Sequence, residues 1–166
     1  MGLDMYLYLS KFESLSRWGK NADLPEQELL EKAKEFYPSE LHNIMQDHLK
    51  HNFLSKQTQY QVGYWRKANA IHRWFIENCA GGDDDGRDIY VRYEKLEKLR
   101  DTVQKVLENH DRAPELLPTQ EGFFFGDTEY DDWYFDNLDY TLDLCNNVLK
   151  FLKENDNYDI YYSASW

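Results

Sequence analysis

Cysteine is scarce in this chain of 166 residues: only Cys79 and Cys145 occur, with no CxxC pair and no Cys/His cluster at zinc spacing. The sequence therefore offers neither a disulfide framework nor a structural zinc site. Long apolar runs are missing too. No stretch approaches the roughly 18 residues that a bilayer-crossing helix needs, and Met1 to Leu9 carries Asp4 and lacks the basic flank of a secretion signal. A soluble, cytoplasmic protein with no membrane partner is the expectation. Catalytic signatures fail as well. Without GxSxG, a P-loop, GxGxxG or HExxH, the common hydrolase, nucleotidase and dehydrogenase classes lose their sequence support.

Charge of one sign is absent from two long segments. From His48 to Ile76 there is no Asp or Glu, while Lys50, Lys56, Arg66, Lys67 and Arg73 are basic. From Gly126 to Asn147 there is no Lys or Arg, while Asp127, Glu129, Asp131, Asp132, Asp136, Asp139 and Asp143 are acidic. The net charge of −12 repels nucleic-acid backbones and anionic membranes, so direct nucleic-acid binding is not expected. Whether the two blocks pair or face apart is left to the fold.

Aromatic residues are abundant. Five Trp, 13 Tyr and 9 Phe make 16% of the chain, more than a core of this size requires. The surplus either rims the core or lines a groove, pocket or partner surface.

Periodicity predicts an α+β fold, mainly helical, with about four to five helices and a small sheet that includes both chain termini. Residues 1–9 alternate Leu3, Met5, Leu7 and Leu9 against Asp4, Tyr6 and Tyr8, and Tyr158 to Trp166 repeats the period of two. A helix is expected after Pro25, with Leu29, Leu30, Ala33 and Phe36 on one stripe that stops before Pro38. Ser39 is placed to cap a second, bearing Leu41, Ile44, Met45 and Leu49. The polar stretch His51 to Gln61 reads as a loop, followed by a third helix from Tyr64 to about Cys79, which Ala80-Gly81-Gly82 ends. Ile89 to Val91 reads as a short strand. Leu96, Leu99, Val103 and Val106 mark another helix, and Gly122 to Gly126 a strand or packed loop. A long helix from about Asp132 carries Phe135, Leu138, Leu142, Cys145, Leu149 and Leu152. No repeat or linker divides the chain, so residues 1–166 read as one domain.

The most informative stretch for chemistry is Tyr64 to Phe75. On a helix Trp65, Asn69 and His72 share a face, with Arg66 and Lys67 alongside. A ring to stack on, an amide, an imidazole and cations together suit an anionic aromatic ligand such as a nucleotide. The competing account makes Trp65, Ile71, Trp74 and Phe75 core, pairs the arginines with carboxylates, and leaves His72 a satisfied helix histidine. Asp83 to Asp85 lacks the ligand spacing of an EF-hand and reads as a solvated turn. Asp127, Glu129, Asp131 and Asp132 can hold Mg²⁺ beside a phosphate, yet acids ahead of a helix are also ordinary capping. No metal and no cofactor is expected. Cys79 lies at the negative end of its helix, which disfavours a thiolate, and Cys145 lies in an apolar stripe.

The opening Met-Gly-Leu-Asp-Met-Tyr-Leu, the block Gly63 to Phe75, Leu116 to Thr119 with Gly122 to Gly126 and Tyr130-Asp131, and the closing Tyr161 to Trp166 resemble a small family of uncharacterised proteins encoded by bacteriophages, prophages and bacteria. These blocks span most of the chain; residues 10–58 stand outside them and read as a peripheral helical addition. The resemblance implies a setting in a host cell rather than a mechanism. In that setting the expected function is capture of a small anionic ligand, such as a nucleotide signal of host defence, by Trp65, Arg66, Lys67, Asn69 and His72 under an aromatic lid that includes Phe124. One alternative is an acidic inhibitor that imitates DNA phosphates and occupies a basic host nuclease through Asp132, Asp136 and Asp139. The other is an enzyme acting on a nucleotide, with His72, Glu129 or Asp131 as base.

Overall fold

The computed structural model describes residues 2–16, 21–51 and 53–166, with side chains described outside 47–53. Met1 of the first strand, Leu49 of the second helix's stripe and the side chain of Lys50 thus lie outside the described set. The chain forms two compact units: residues 1–10 with 59–166, and residues 11–58.

With β2 as Phe53–Arg66, the larger unit is built on a four-stranded sheet of order β2-β1-β4-β3. Strand β1 (Asp4–Ser16) pairs antiparallel with β4 (Asp159–Ser165), Asp4 facing Ser165 and Ser10 facing Asp159. β4 pairs antiparallel with β3 (Ile89–Val91). The period of two at each end of the chain thus produces neighbouring strands in one sheet, whose apolar face is buried. Leu3, Met5, Leu7, Leu9, Ile160 and Tyr162 are almost fully enclosed there. Helices α3 (Asn69–Cys79), α4 (Tyr93–Glu108) and α6 (Asp132–Glu154) supply the rest of that core, α4 through Leu96, Leu99, Val103 and Val106. The short α5 (Ala113–Leu116) lies in the segment between Ala113 and Pro118. With α1 and α2 described below, the described residues hold six α-helices, so the α+β class stands and the expected helix number is low.

The opposite face of the sheet carries tyrosines. Tyr6 lies 5.4 Å from Tyr64 and 6.0 Å from Tyr8 between ring centroids, Tyr8 is the register partner of Tyr161, and Tyr161 lies 5.8 Å from Tyr90. One row of rings therefore crosses all four strands, and it absorbs part of the aromatic surplus.

Two expectations fail around β2 (Phe53–Arg66). The polar stretch His51 to Gln61 is mostly strand rather than loop: β2 is an edge strand, and a strand covered on one side only needs few apolar residues. The third helix begins at Asn69, not Tyr64. Tyr64 to Arg66 continue β2, because tertiary packing overrides the local helical period: Trp65 is buried between Phe75 and Tyr140, and its Nε1 donates to Thr141 Oγ1 at 2.8 Å. Gly63 likewise sits inside the strand, where a Cβ would come within 2.5 Å of Leu144 and 3.2 Å of Leu7. Of the two expectations for Gly122 to Gly126, strand or packed loop, the loop holds: the segment turns.

The smaller unit has its own core of Leu29, Ala33, Met45 and Leu54, flanked by Leu15, Leu30, Phe36 and Tyr37. Helix α1 (Glu26–Phe36) starts after Pro25 and ends before Pro38 as its stripe predicts. Ser39 does not cap the next helix. It opens a 3-10 turn, Ser39–Leu41, and its hydroxyl bonds the Glu40 carboxylate before α2 (His42–His51) begins. The Tyr37 phenol donates to the Ser55 carbonyl. Among the described residues no helix is long and apolar enough to cross a membrane.

Candidate functional site

Three segments far apart in sequence, at Leu3, at Lys67 to Asn69 and at 117–131, meet at the start of α3. Leu3 N–H donates to the Phe124 carbonyl at 3.0 Å, and Lys67 N–H donates to the Leu3 carbonyl at 2.7 Å. Asn69 then joins the 117–131 segment to the helix. Its Nδ2 donates to the carbonyls of Phe125 (3.1 Å) and Asp127 (2.8 Å), while Oδ1 accepts from Gln120 N–H at 3.1 Å. Tyr134 O–H donates to the Leu117 carbonyl at 2.8 Å, and Asp131 caps α6 by accepting from Tyr134 N–H.

Lys67 is the joint between β2 and α3. Its φ of 57° is left-handed, the only such non-glycine among the described residues, and a lysine there is strained by roughly 1 kcal/mol or more. The surroundings are cut to fit it: a Cβ on Gly2 would lie 3.2 Å from Lys67 Cε, and one on Gly126 would lie 3.2 Å from Lys67 Cβ. Strain of this kind persists only where neighbouring structure holds it, and here two glycines and the Leu3 bond do so.

The helix that follows starts without a cap. Ala68 precedes Asn69 and offers no side-chain acceptor, and the N–H groups of Asn69, Ala70 and Ile71 have no hydrogen-bond partner among the described residues, although all three residues are buried. A helix start of this kind presents partial positive charge and open donors. Asn69, Ala70 and Ile71 border a cleft of about 20 Å³, room for about one water molecule, walled by Lys67, Thr119, Trp133 and the acids Asp127, Glu129 and Asp131. Trp133 is 58% exposed at its edge. At that size the cleft admits one small group; the open helix start and Lys67 favour an anion there, while Asp127, Glu129 and Asp131 oppose it and favour donors such as hydroxyls.

Of the residues expected to bind ligand, Lys67 and Asn69 are at this cleft. Phe124 is beside it, half-buried, its carbonyl on Leu3 and its ring edge-on to Phe123, which is 95% exposed. Arg66 is exposed and alternates with the buried Trp65, so it belongs with Tyr64 on the tyrosine face. Trp65 does not share a helix face with Asn69 and His72, since it is in a strand. His72 is fully enclosed, with Nδ1 2.7 Å from Tyr162 Oη and Nε2 3.0 Å from Asp84 Oδ2. A carboxylate only accepts, so Nε2 carries the proton and the phenol donates to Nδ1 in the neutral tautomer. Burial pushes the Tyr162 phenol well above its ordinary range, which keeps that donor protonated. Asp83 to Asp85 are exposed, as expected of a solvated turn, and Asp84 is in addition a structural partner of His72.

The two charge blocks do not pair with each other among the described residues: Arg73 bonds Glu77 and Lys56 bonds Glu13. Asp132, Asp136 and Asp139 are exposed on α6. No cluster of three or more His, Cys, Asp or Glu able to hold a metal ion occurs among the described residues. Trp133 is the cleft residue that sequence reasoning missed; its one signal was an apolar ring at the exposed start of an otherwise acidic helix turn. The chain matches no protein-family model, no curated protein and no solved structure.

Burial pushes the Cys79 thiol up to about 11, against the pull of Lys95 and Lys98, and the Cys145 thiol up to about 12. At pH 8 only about one Cys79 thiol in a thousand is then ionised. A colourimetric disulfide reagent should therefore label Cys79 far more slowly than free cysteine, and Cys145 only after denaturant is added. Rapid labelling of either in the native protein would contradict this burial.

Proposed function

We propose that the protein is an accessory binding protein of phage or prophage type that captures a small anionic, nucleotide-like ligand at the start of α3. The observation that carries this reading is the buried, uncapped first turn of α3 with Lys67 held against it in a left-handed backbone. Helix-start N–H groups without a protein acceptor are open to a phosphate or carboxylate. The acids on the far wall suit sugar hydroxyls, and Trp133 suits a base. The cleft is narrow, so this reading requires the Trp133 ring to move aside for a nucleotide. An enzymatic role for His72 draws no support, since the imidazole is sealed and committed on both nitrogens.

Calorimetric titration with nucleoside mono-, di- and triphosphates tests the reading. Binding at one ligand per chain is expected, with the ligand recovered unchanged after long incubation in excess. Consumption of the ligand over many turnovers would favour an enzyme instead.

A second reading, the acidic imitation of DNA, rests on its own observation. Asp132, Asp136, Asp139 and Asp143 follow a 4-3-4 spacing along one face of α6, all exposed and none in an ion pair among the described residues. They place four carboxylates over about 16 Å of helix axis. On this reading, replacing Asp132, Asp136 and Asp139 together by Asn lowers affinity for a basic nuclease about tenfold or more at low salt, with little effect at high salt and none on the unfolding midpoint. Equal binding by the triple variant at all salt concentrations would exclude it.

A further inference from the structure

Away from the α3 cleft, the larger unit holds a groove of about 670 Å³ between α6 and the first two strands. That volume lies in the range of small-molecule sites. Its floor is apolar: Leu9 of β1, Val62 of β2, and Leu144 and Val148 of α6. Its walls are rings. Tyr60 lies 6.0 Å from Tyr158, Phe151 lies 5.3 Å from Tyr158, and Tyr140 closes the other end. Tyr60, Tyr140 and Phe151 all rank among the exposed large side chains of the molecule, so three uncovered rings converge on one hollow.

The polar groups in the groove are as selective as the rings. Asp143 is the one charged residue that lines it, and no ion pair is formed by Asp143 among the described residues. Asn147 stands one helical turn on from it. Asn155 uses Nδ2 on the Phe151 carbonyl at 2.9 Å, which leaves Oδ1 as an acceptor. Tyr140 Oη accepts from Tyr64 N–H at 3.1 Å. No Lys or Arg lines the groove.

We propose that this groove binds a small organic cation, an ammonium group wrapped in methyl or methylene carbons. Ring faces are negative and attract a cation laid over them, and a carboxylate at the edge of the same hollow adds to the attraction. An anionic ligand would meet Asp143 and the ring faces, both repulsive. A neutral apolar ligand would leave the Asp143 charge unused and partly desolvated. A compact ammonium with an apolar jacket satisfies the rings, the floor and the carboxylate together, and the net charge of −12 draws it in. This site is independent of the α3 cleft and opposite to it in ligand charge.

The test is an NMR titration with choline and with its neutral carbon isostere, 3,3-dimethylbutan-1-ol, following the side-chain amides of Asn147 and Asn155. Choline is expected to saturate, the isostere to bind at least about threefold more weakly, and Asp143→Asn to weaken choline about three- to thirtyfold. Lys67→Gly should leave choline binding unchanged, which separates this site from the α3 cleft. Should Asp143→Asn unfold, Phe151→Leu replaces it, with loss of choline binding again expected. Equal binding of choline and the isostere would reduce the groove to an apolar hollow and overturn the proposal. Absence of saturation where a millimolar complex would form overturns it as well.

Discussion

Phe75→Ala is expected to lower the unfolding free energy by about 3–5 kcal/mol, a large share of the roughly 5–15 kcal/mol that holds an ordinary domain together. Phe75 is fully enclosed and touches three aromatic neighbours. It stacks on Tyr162 at 4.1 Å and 16°, and meets Trp65 and Trp74 edge-on at 6.2 Å and 5.5 Å. Two of those rings are anchored elsewhere: Tyr162 by His72 and Trp65 by Thr141. They are therefore poorly placed to collapse into the vacated space, and a cavity that stays open puts the cost toward the upper end of the range. Urea unfolding by tryptophan fluorescence and by circular dichroism checks it. The midpoint should fall with the slope unchanged, and a loss under about 1 kcal/mol would mean that the centre of this core relaxes far more easily than its contacts imply.

Asn69→Ala is expected to cost about 2–4 kcal/mol through a different mechanism. The substitution creates little cavity, but it strands the Phe125 and Asp127 carbonyls and the Gln120 N–H, all held by one amide side chain. Asn69→Asp should do no better: a carboxylate keeps the bond from Gln120, loses both donors and sets a negative charge against two carbonyl oxygens. Because these three bonds tie the 117–131 segment to α3, both variants should speed amide exchange at Gln120 and open the segment to protease. Stability within about 0.5 kcal/mol of the parent, with exchange unchanged, would show that the segment is held by other contacts.

Much of the framework was legible from hydrophobic period alone, and the failures have a common cause. The terminal strands, α1, α4 and α6 are segments whose own sequence alternates or repeats in step with the face they bury, so local pattern and tertiary burial agree. β2 is the opposite case. It lies at the sheet edge with little apolar content, and its last residues carry a helix-like spacing that Trp65 overrides by packing into the core. That one displaced boundary redistributed the expected site. Trp65 and His72 went inward, Arg66 went to the tyrosine face, and of the expected set only Lys67 and Asn69 line the cleft. The left-handed backbone of Lys67 was not foreseeable, because nothing in a lysine announces it; Gly2 and Gly126, which make room for the side chain, come from distant parts of the chain. The aromatic surplus was legible as a number and not as a place. It resolves into a core cluster around Phe75, a row across the sheet and the walls of the groove.

The most direct test is thermal unfolding of the parent and of Lys67→Gly, alone and with a panel of nucleotides and their unphosphorylated nucleosides. Glycine at residue 67 relieves the left-handed strain, so that variant should unfold at a temperature equal to or slightly above the parent's without ligand. The account predicts that at least one phosphate-bearing ligand stabilises the parent, that its nucleoside does not, and that the stabilisation disappears in Lys67→Gly. A parent indifferent to the whole panel, or a stabilisation that survives in Lys67→Gly, would contradict it.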